Sequence, residues 1–269
     1  MQKIAIHSVP RSGSTWLGNI FNSHPRLAFK FQPLFSYAFR DYLTPYSNVN
    51  EINTFFEEIV NSQDAFLNQH DAVSKNAVPV FVKENRLTHC CYKEVRYHYI
   101  LDNMLSKTDD VKLILLIRNP LATLYSWYKA PKEFKKHLGW NFHEEWLDAP
   151  KKNSDKEEEF NGYNKWKEAS LLFLRLKEKY PKNIYLLDYQ DLLENPVNIT
   201  KQLFSFTDLS YEKQTDAFLN ISTSINHSDA YSVFKIKEKD NDWKYLPRNI
   251  IDYIINDLKN TELEKFLYE

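Results

Sequence analysis

The stretch Lys3 to Trp16, KIAIHSVPRSGSTW, constrains the fold of this chain more than any other. Lys3, Ile4, Ala5, Ile6 and His7 read as a short buried strand, which Val9-Pro10 ends. Arg11-Ser12-Gly13-Ser14-Thr15 then gathers small hydroxyl residues, a glycine and a cation, and Trp16, Leu17, Ile20 and Phe21 follow at helical spacing. Strand, tight loop and helix in that order aim backbone N–H groups at one spot, where the helix N-terminus adds partial positive charge. Ser12, Ser14 and Thr15 add hydroxyl donors, Arg11 adds a full charge, and Gly13 lets the backbone approach a ligand closely. The ligand that suits such a loop is a tetrahedral dianion such as phosphate. A plain capped helix is the simpler reading, but one N-cap needs one hydroxyl, and here there are three beside an arginine.

The rest of the composition narrows the classes. A net charge of -1 over 269 residues gives no general attraction to nucleic acid, so any anion site must be local. With 43% hydrophobic and 15% aromatic residues the chain is globular and long enough for ample core. We expect one domain over 1–269, with surface insertions near 44–80 and 130–160. The four glycines, Gly13, Gly18, Gly139 and Gly162, cannot form GxGxxG or GxxxxGK[ST]. This argues against dinucleotide-binding enzymes, Walker-type NTPases and protein kinases. The adjacent Cys90 and Cys91 suit neither a disulfide nor a zinc site, and read as reduced thiols in a strand. No apolar run reaches the roughly 18 residues of a membrane span, and no signal peptide precedes the first strand. The expectation is a cytoplasmic protein without stable membrane insertion.

Along the chain, 27–31 alternates like a strand, 33–42 reads as a helix with an aromatic face, and 51–62 as a helix. Short strands are expected at 80–82 and 90–92 and a helix at 97–105. Val111 to Ile117 is the most apolar run and predicts a strand buried on both faces, which favours a parallel sheet. Asn119-Pro120 turns it into a helix. Residues 151–159 read as a charged loop, 160–180 as a long helix and 184–188 as a strand; helices follow near 191–194, 197–206, 211–219 and 248–258. The alternation predicts an α/β, P-loop-like three-layer fold, a central mostly parallel sheet flanked by helices. Ligands in such sheets bind beyond the strand C-termini, and both Arg11 and Arg118 lie just past strand ends.

Arg118 opens a second candidate anion site, Arg118-Asn119-Pro120-Leu121-Ala122-Thr123-Leu124-Tyr125-Ser126. An arginine at the mouth of a buried strand needs an anionic partner or water, and a structural salt bridge would serve it in isolation. Beside Arg11–Thr15, it suits a ligand with two separated phosphate groups.

PRSGSTW and RNPLATLYS resemble the two signature motifs of the sulfotransferase family that uses 3′-phosphoadenosine 5′-phosphosulfate (PAPS), with the same spacing of eight from Arg118 to Ser126. Tyr189-Gln190-Asp191-Leu192 with Asn195-Pro196 is similar to the family's YEDL…NP segment. Ser23-His24-Pro25, Gln32-Pro33-Leu34-Phe35 and Lys93-Glu94-Val95-Arg96 resemble stretches of its carbohydrate-type branch. The resemblance implies that Arg11, Ser12, Gly13, Ser14, Thr15 and Trp16 hold the 5′-phosphosulfate and that Arg118 and Ser126 hold the 3′-phosphate. A basic C-terminal loop with Lys235, Lys237 and Lys239 would close over the nucleotide, a solvated edge being the alternative. The product would be 3′-phosphoadenosine 5′-phosphate (PAP).

Sulfuryl transfer needs positioning and charge stabilisation, and Arg11 and Lys93 are the candidate cations for the leaving oxygen. No metal is implied. Where relatives carry a basic Glu or His, this chain has Gln32 and Val95, which cannot take a proton. Glu94, Glu84 and His98 remain as candidate general bases, Glu94 first. The resemblance points to a glycan hydroxyl as acceptor; a phenol, steroid or lipid alcohol is the alternative. Lys129, Lys132, Lys135 and Lys136 could steer an acidic glycan or form a solvated helix face. Two other readings are a nucleotide phosphotransferase, which the scarce glycines disfavour, and a non-catalytic PAP-binding module.

Overall fold

The computed structural model describes residues 1–134, 136–229, 231–234 and 241–268. Five strands form one sheet: β1 (Gln2–His7), β2 (Leu27–Phe31), β3 (His89–Glu94), β4 (Val111–Ile117) and β5 (Ile184–Asp188). Their order is β2-β3-β1-β4-β5, and every neighbouring pair is parallel. Parallel strands need crossovers, and helices supply them on both faces. These are α1 (Ser14–Asn22), α2 (Val49–Asn61), α3 (His70–Ser74), α4 (Leu101–Lys107), α5 (Pro120–Tyr128) and α6 (Phe142–Glu145). There follow α7 (Pro150–Asn153), α8 (Tyr163–Lys179), α9 (Tyr189–Glu194), α10 (Pro196–Phe206), α11 (Lys213–Ser224) and α12 (Arg248–Leu258).

Two cores sandwich the sheet. Leu113, Leu115 and Ile117 of β4 point to one face and pack with residues of α2, α4, α5, α8 and α12. Ile114 and Leu116 point to the other and pack with α1, α9, α10 and α11. β4 therefore has to be apolar at successive positions, because its pleat faces a core on each side. Cys90 and Cys91 are free thiols that divide between the same two cores.

Several expectations change. The stretch 33–42 is not a helix: only Pro33–Phe35 makes a 3-10 turn. Ser36 is the cause, since its hydroxyl donates to the Pro33 carbonyl at 2.7 Å and accepts from the Phe39 N–H at 3.1 Å. Such local bonds compete with the helical ladder. Residues 80–82 form no strand; the Val82 N–H bonds the Gln214 side chain at 3.0 Å, and Val80 and Val82 are exposed. Within 44–80, Ile52, Phe55, Phe56 and Ile59 of α2 are buried in the first core. Within 130–160, Phe142, Ala149 and Phe160 are likewise buried. Among the described residues no helix is long and apolar enough to cross a membrane.

Candidate active site

The loop after β1 owes its shape to two left-handed residues, Arg11 (φ 70°) and Gly13 (φ 87°). Gly13 is the N-cap of α1 and, lacking a side chain, makes no side-chain cap bond to the helix. A methyl group on Gly13 would lie 2.3 Å from Cε2 of Tyr189, the first residue of α9. Glycine is thus required twice at this position, for its backbone angle and for the ring packed against it.

The loop after β4 meets it directly. Arg118 donates to the Arg11 main-chain carbonyl at 2.7 Å, and Arg11 Nε donates to Ser126 Oγ at 3.2 Å. Ser126 comes from α5, which starts at Pro120 and is capped by the Asn119 side chain accepting from the Leu121 and Ala122 N–H groups. The Arg118 guanidinium stands 4.9 Å over the Tyr189 ring, and the Arg11 guanidinium 5.0 Å from that of Tyr231. Burial draws the Arg11 pKa down, as does neighbouring Arg118, while Tyr231 and Glu133 oppose this.

One cleft of about 1090 Å³ lies over the C-terminal ends of the strands. Arg11, Gly13, Ser14, Thr15 and Trp16 line it from the first loop, Arg118 and Ser126 from the second, and Lys93 from β3. Among the described residues, five cations, Arg11, Lys93, Arg96, Arg118 and Lys129, border it against the carboxylates of Glu133 and Asp242. A chain with a net charge of only -1 therefore carries a local excess of positive charge where a polyanion would lie.

Lys93 is only 3% exposed, and its Nζ sits 4.3 Å from the Phe31 ring. Burial pushes its amine down to about 7, Glu94 pulls it up, and Arg96 and Arg11 push it lower. Gln32, in a left-handed conformation (φ 44°), bonds the Lys93 carbonyl through its own N–H at 2.8 Å. Its side-chain oxygen accepts from Arg96 at 3.2 Å, and Arg96 is paired with Glu159 at 2.9 Å. Val95 and Arg96 also reach the cleft.

Three groups of residues depart from the sequence reading. Ser12 is fully buried, does not line the cleft, and its hydroxyl has no hydrogen-bond partner among the described residues. Glu94 is also fully buried and absent from the cleft wall. Successive residues of a strand point to opposite faces, so with Lys93 turned to the cleft, Glu94 turns away. Burial pushes its carboxyl up to about 7, and it accepts from the Val95 N–H at 3.2 Å. His98 is buried against His7, with ring nitrogens 3.0 Å apart, and Glu84 is exposed away from the cleft. None of the three candidate bases faces the site. Lys235, Lys237 and Lys239 lie outside the described residues.

Sequence reasoning gave no role to Tyr189, Tyr231, Glu133 or Asn161, all of which line the cleft. The motif containing Tyr189 was visible; Tyr231 and Glu133 belong to stretches without periodic pattern, and Asn161 lies just before the start of α8 at Tyr163, at the edge of the stretch read as a helix.

A family model described as "Sulfotransferase domain" matches residues 1–266. The chain belongs to the sulfotransferase domain family. No curated protein sequence matches it. Among solved structures, this sulfotransferase-family chain is similar to mouse sulfotransferase SULT7A1 complexed with PAP, at 15% identity and TM-score 0.56, over 98% of this chain and 86% of that one. It is also similar to retinol dehydratase in a complex with retinol and PAP, at 16% identity and TM-score 0.52, over 99% and 83% of the two chains. The sulfotransferase domain from the curacin biosynthetic pathway is a third, at 18% identity and TM-score 0.51, over 96% and 97%. At these identities the likeness establishes the shared fold.

Proposed function

We propose that this family member is an enzyme that transfers the sulfuryl group of PAPS to a carbohydrate hydroxyl. The observation that carries the reading is the junction of the two anion loops: Arg118 on the Arg11 carbonyl and Arg11 on Ser126 put both loops on one cleft. One nucleotide phosphorylated at both ends fits that wall. The two similar structures complexed with PAP agree with it.

Sheet order divides the cleft. β1 is the middle strand, β4 and β5 lie on one side, and β3 and β2 on the other. The nucleotide belongs over the β1–β4 side with Arg11, Arg118 and Ser126, and the acceptor over the β3–β2 side with Lys93 and Gln32. The donor would supply a sulfuryl group whose bond to the 5′-phosphate oxygen breaks as the acceptor oxygen bonds to sulfur, with the acceptor's hydroxyl proton passing to water. Arg11 and Lys93 lie where the two sides meet, placed to hold the negative charge that grows on the departing oxygen. In a partly dry cleft one fixed donor of this kind contributes roughly 3 kcal/mol.

The amides of Gln32, Gln69 and Asn161, with the Phe31 ring, offer the mixture of hydrogen bonding and stacking that sugars use. A phenol, steroid or lipid alcohol is the second reading, favoured by Ala72, Val78 and Val95 on the same wall. Incubation with PAPS labelled in its sulfate, against glycans, phenols and steroids, tests both. Transfer to a glycan is expected. Labelling of steroids or phenols alone selects the second reading, and no transfer with intact PAP binding would leave a binding module. Tight PAP binding is expected without magnesium, and selective binding of ATP–Mg would refute the donor assignment.

A further inference from the structure

The peptide group between Arg118 and Asn119 is held at both of its polar atoms. Its carbonyl, that of Arg118, accepts from Trp166 Nε1 at 2.9 Å. Its N–H, that of Asn119, donates to the Tyr268 hydroxyl at 3.1 Å. A peptide unit is planar, so gripping both ends fixes its orientation and hence the direction in which the Arg118 side chain departs. Tyr268 follows a turn, Glu264–Phe266, that is anchored in the first core by Leu263 and Phe266. Its main-chain carbonyl adds a second bond, accepting from the Asn119 side-chain amide at 3.2 Å.

The same hydroxyl reaches the neighbouring strand. Tyr268 donates to Asp188 Oδ1 at 3.0 Å, and that oxygen also caps α9 by accepting from the Gln190 N–H at 2.9 Å. Asp188 is paired with Ile117 across β4 and β5 and directly precedes Tyr189. One phenol thus ties down the backbone beneath Arg118 and the backbone that carries the ring under its guanidinium.

We propose that Tyr268 is a positioning residue for the 3′-phosphate end of the nucleotide site, acting through the Arg118–Asn119 peptide and the Asp188–Tyr189 turn. The inference rests on the reading of the cleft as a PAP site with Arg118 at the 3′-phosphate. Tyr268 itself is not among the residues that line the cleft, so its effect on the site runs through the groups it orients.

The experiment compares PAP with adenosine 5′-phosphate, which lacks the 3′-phosphate, on wild type and Tyr268→Phe by titration calorimetry. Thermal melting of both proteins without ligand reports on folding. The phenyl ring keeps the packing and removes the hydroxyl that links Asn119 to Asp188. We expect PAP to bind about tenfold more weakly to the variant, the scale of one or two lost hydrogen bonds, with adenosine 5′-phosphate unchanged. An unaltered preference for PAP, or an equal loss for both nucleotides, would overturn the positioning role. Failure of the underlying reading would show separately, as a wild-type protein that does not prefer PAP over adenosine 5′-phosphate, and would remove the proposal with it.

Discussion

The Arg118 guanidinium donates to the main-chain carbonyl of Arg11 at 2.7 Å, joining the turn after β4 to the turn after β1. These residues are 107 positions apart, yet the strands that present them are direct neighbours in the sheet. A parallel sheet makes this possible, since all its strands deliver their C-terminal turns to the same edge.

Arg118→Ala should weaken PAP binding by about 1.5–3 kcal/mol, the range for hydrogen bonds to charged groups. Arg118→Lys should recover only part of this, because a point charge lacks the planar fork of donors. Calorimetric titration of both variants checks it, and wild-type affinity in the alanine variant would take Arg118 out of the site.

Lys93→Ala should act on turnover rather than on binding. Lys93 is nearly buried at the cleft wall, beside the Phe31 ring. A donor that serves mainly the transition state costs on the order of 100-fold in kcat when removed, with PAP affinity changed little. Single-turnover transfer from labelled PAPS, alongside PAP titration, separates the two; equal losses in both would make Lys93 an ordinary binding group.

Glu94→Gln should cost turnover far less than loss of a general base would, since the carboxyl is fully buried, turned from the cleft, and acts on the site through its pull on the Lys93 amine. The amide oxygen can still accept from the Val95 N–H. A loss of about 100-fold, the scale at which a general base contributes, would return Glu94 to the catalytic set.

Gly13→Ala should destabilise the fold by on the order of 2 kcal/mol. A left-handed angle costs an alanine about 1–2 kcal/mol, and the added methyl meets the Tyr189 ring at 2.3 Å. Thermal melting should fall by several degrees, at roughly 2–4 °C per kcal/mol for a chain of this size. An unchanged melting temperature contradicts the packing described here.

Asp188 gives a pH signature. Burial pushes its carboxyl up to about 6, with Asp191 and Glu194 adding to the rise while the Gln190 N–H and the Tyr268 hydroxyl oppose it. Between the ordinary carboxylate value and about 6, the folded chain holds a proton that the unfolded chain has released. Its contribution to stability therefore declines as pH rises through that window and is level above it. Asp188→Asn removes this declining contribution, so the change in urea midpoint from pH 4.5 to pH 7 should shift towards greater stability at pH 7 in the variant. An identical difference in both proteins is the contrary outcome.

Local pattern alone determined much of this protein. The strand, loop and helix of residues 2–22, the doubly apolar β4 and the closing helix 248–258 each carry their own periodicity, and a short-range repeat reports which faces are buried. The two loops that carry Arg11 and Arg118 were legible for the same reason, because each is a local strand-to-helix turn. Tertiary structure decided what those loops meet. Ser12 is buried by the course of a left-handed loop, and Glu94 faces away because the pleat turned Lys93 inward. Tyr268 reaches Asp188 across 80 positions and Asn119 across 149. Contacts at such separations arise from how the layers pack, and no spacing along the chain encodes them.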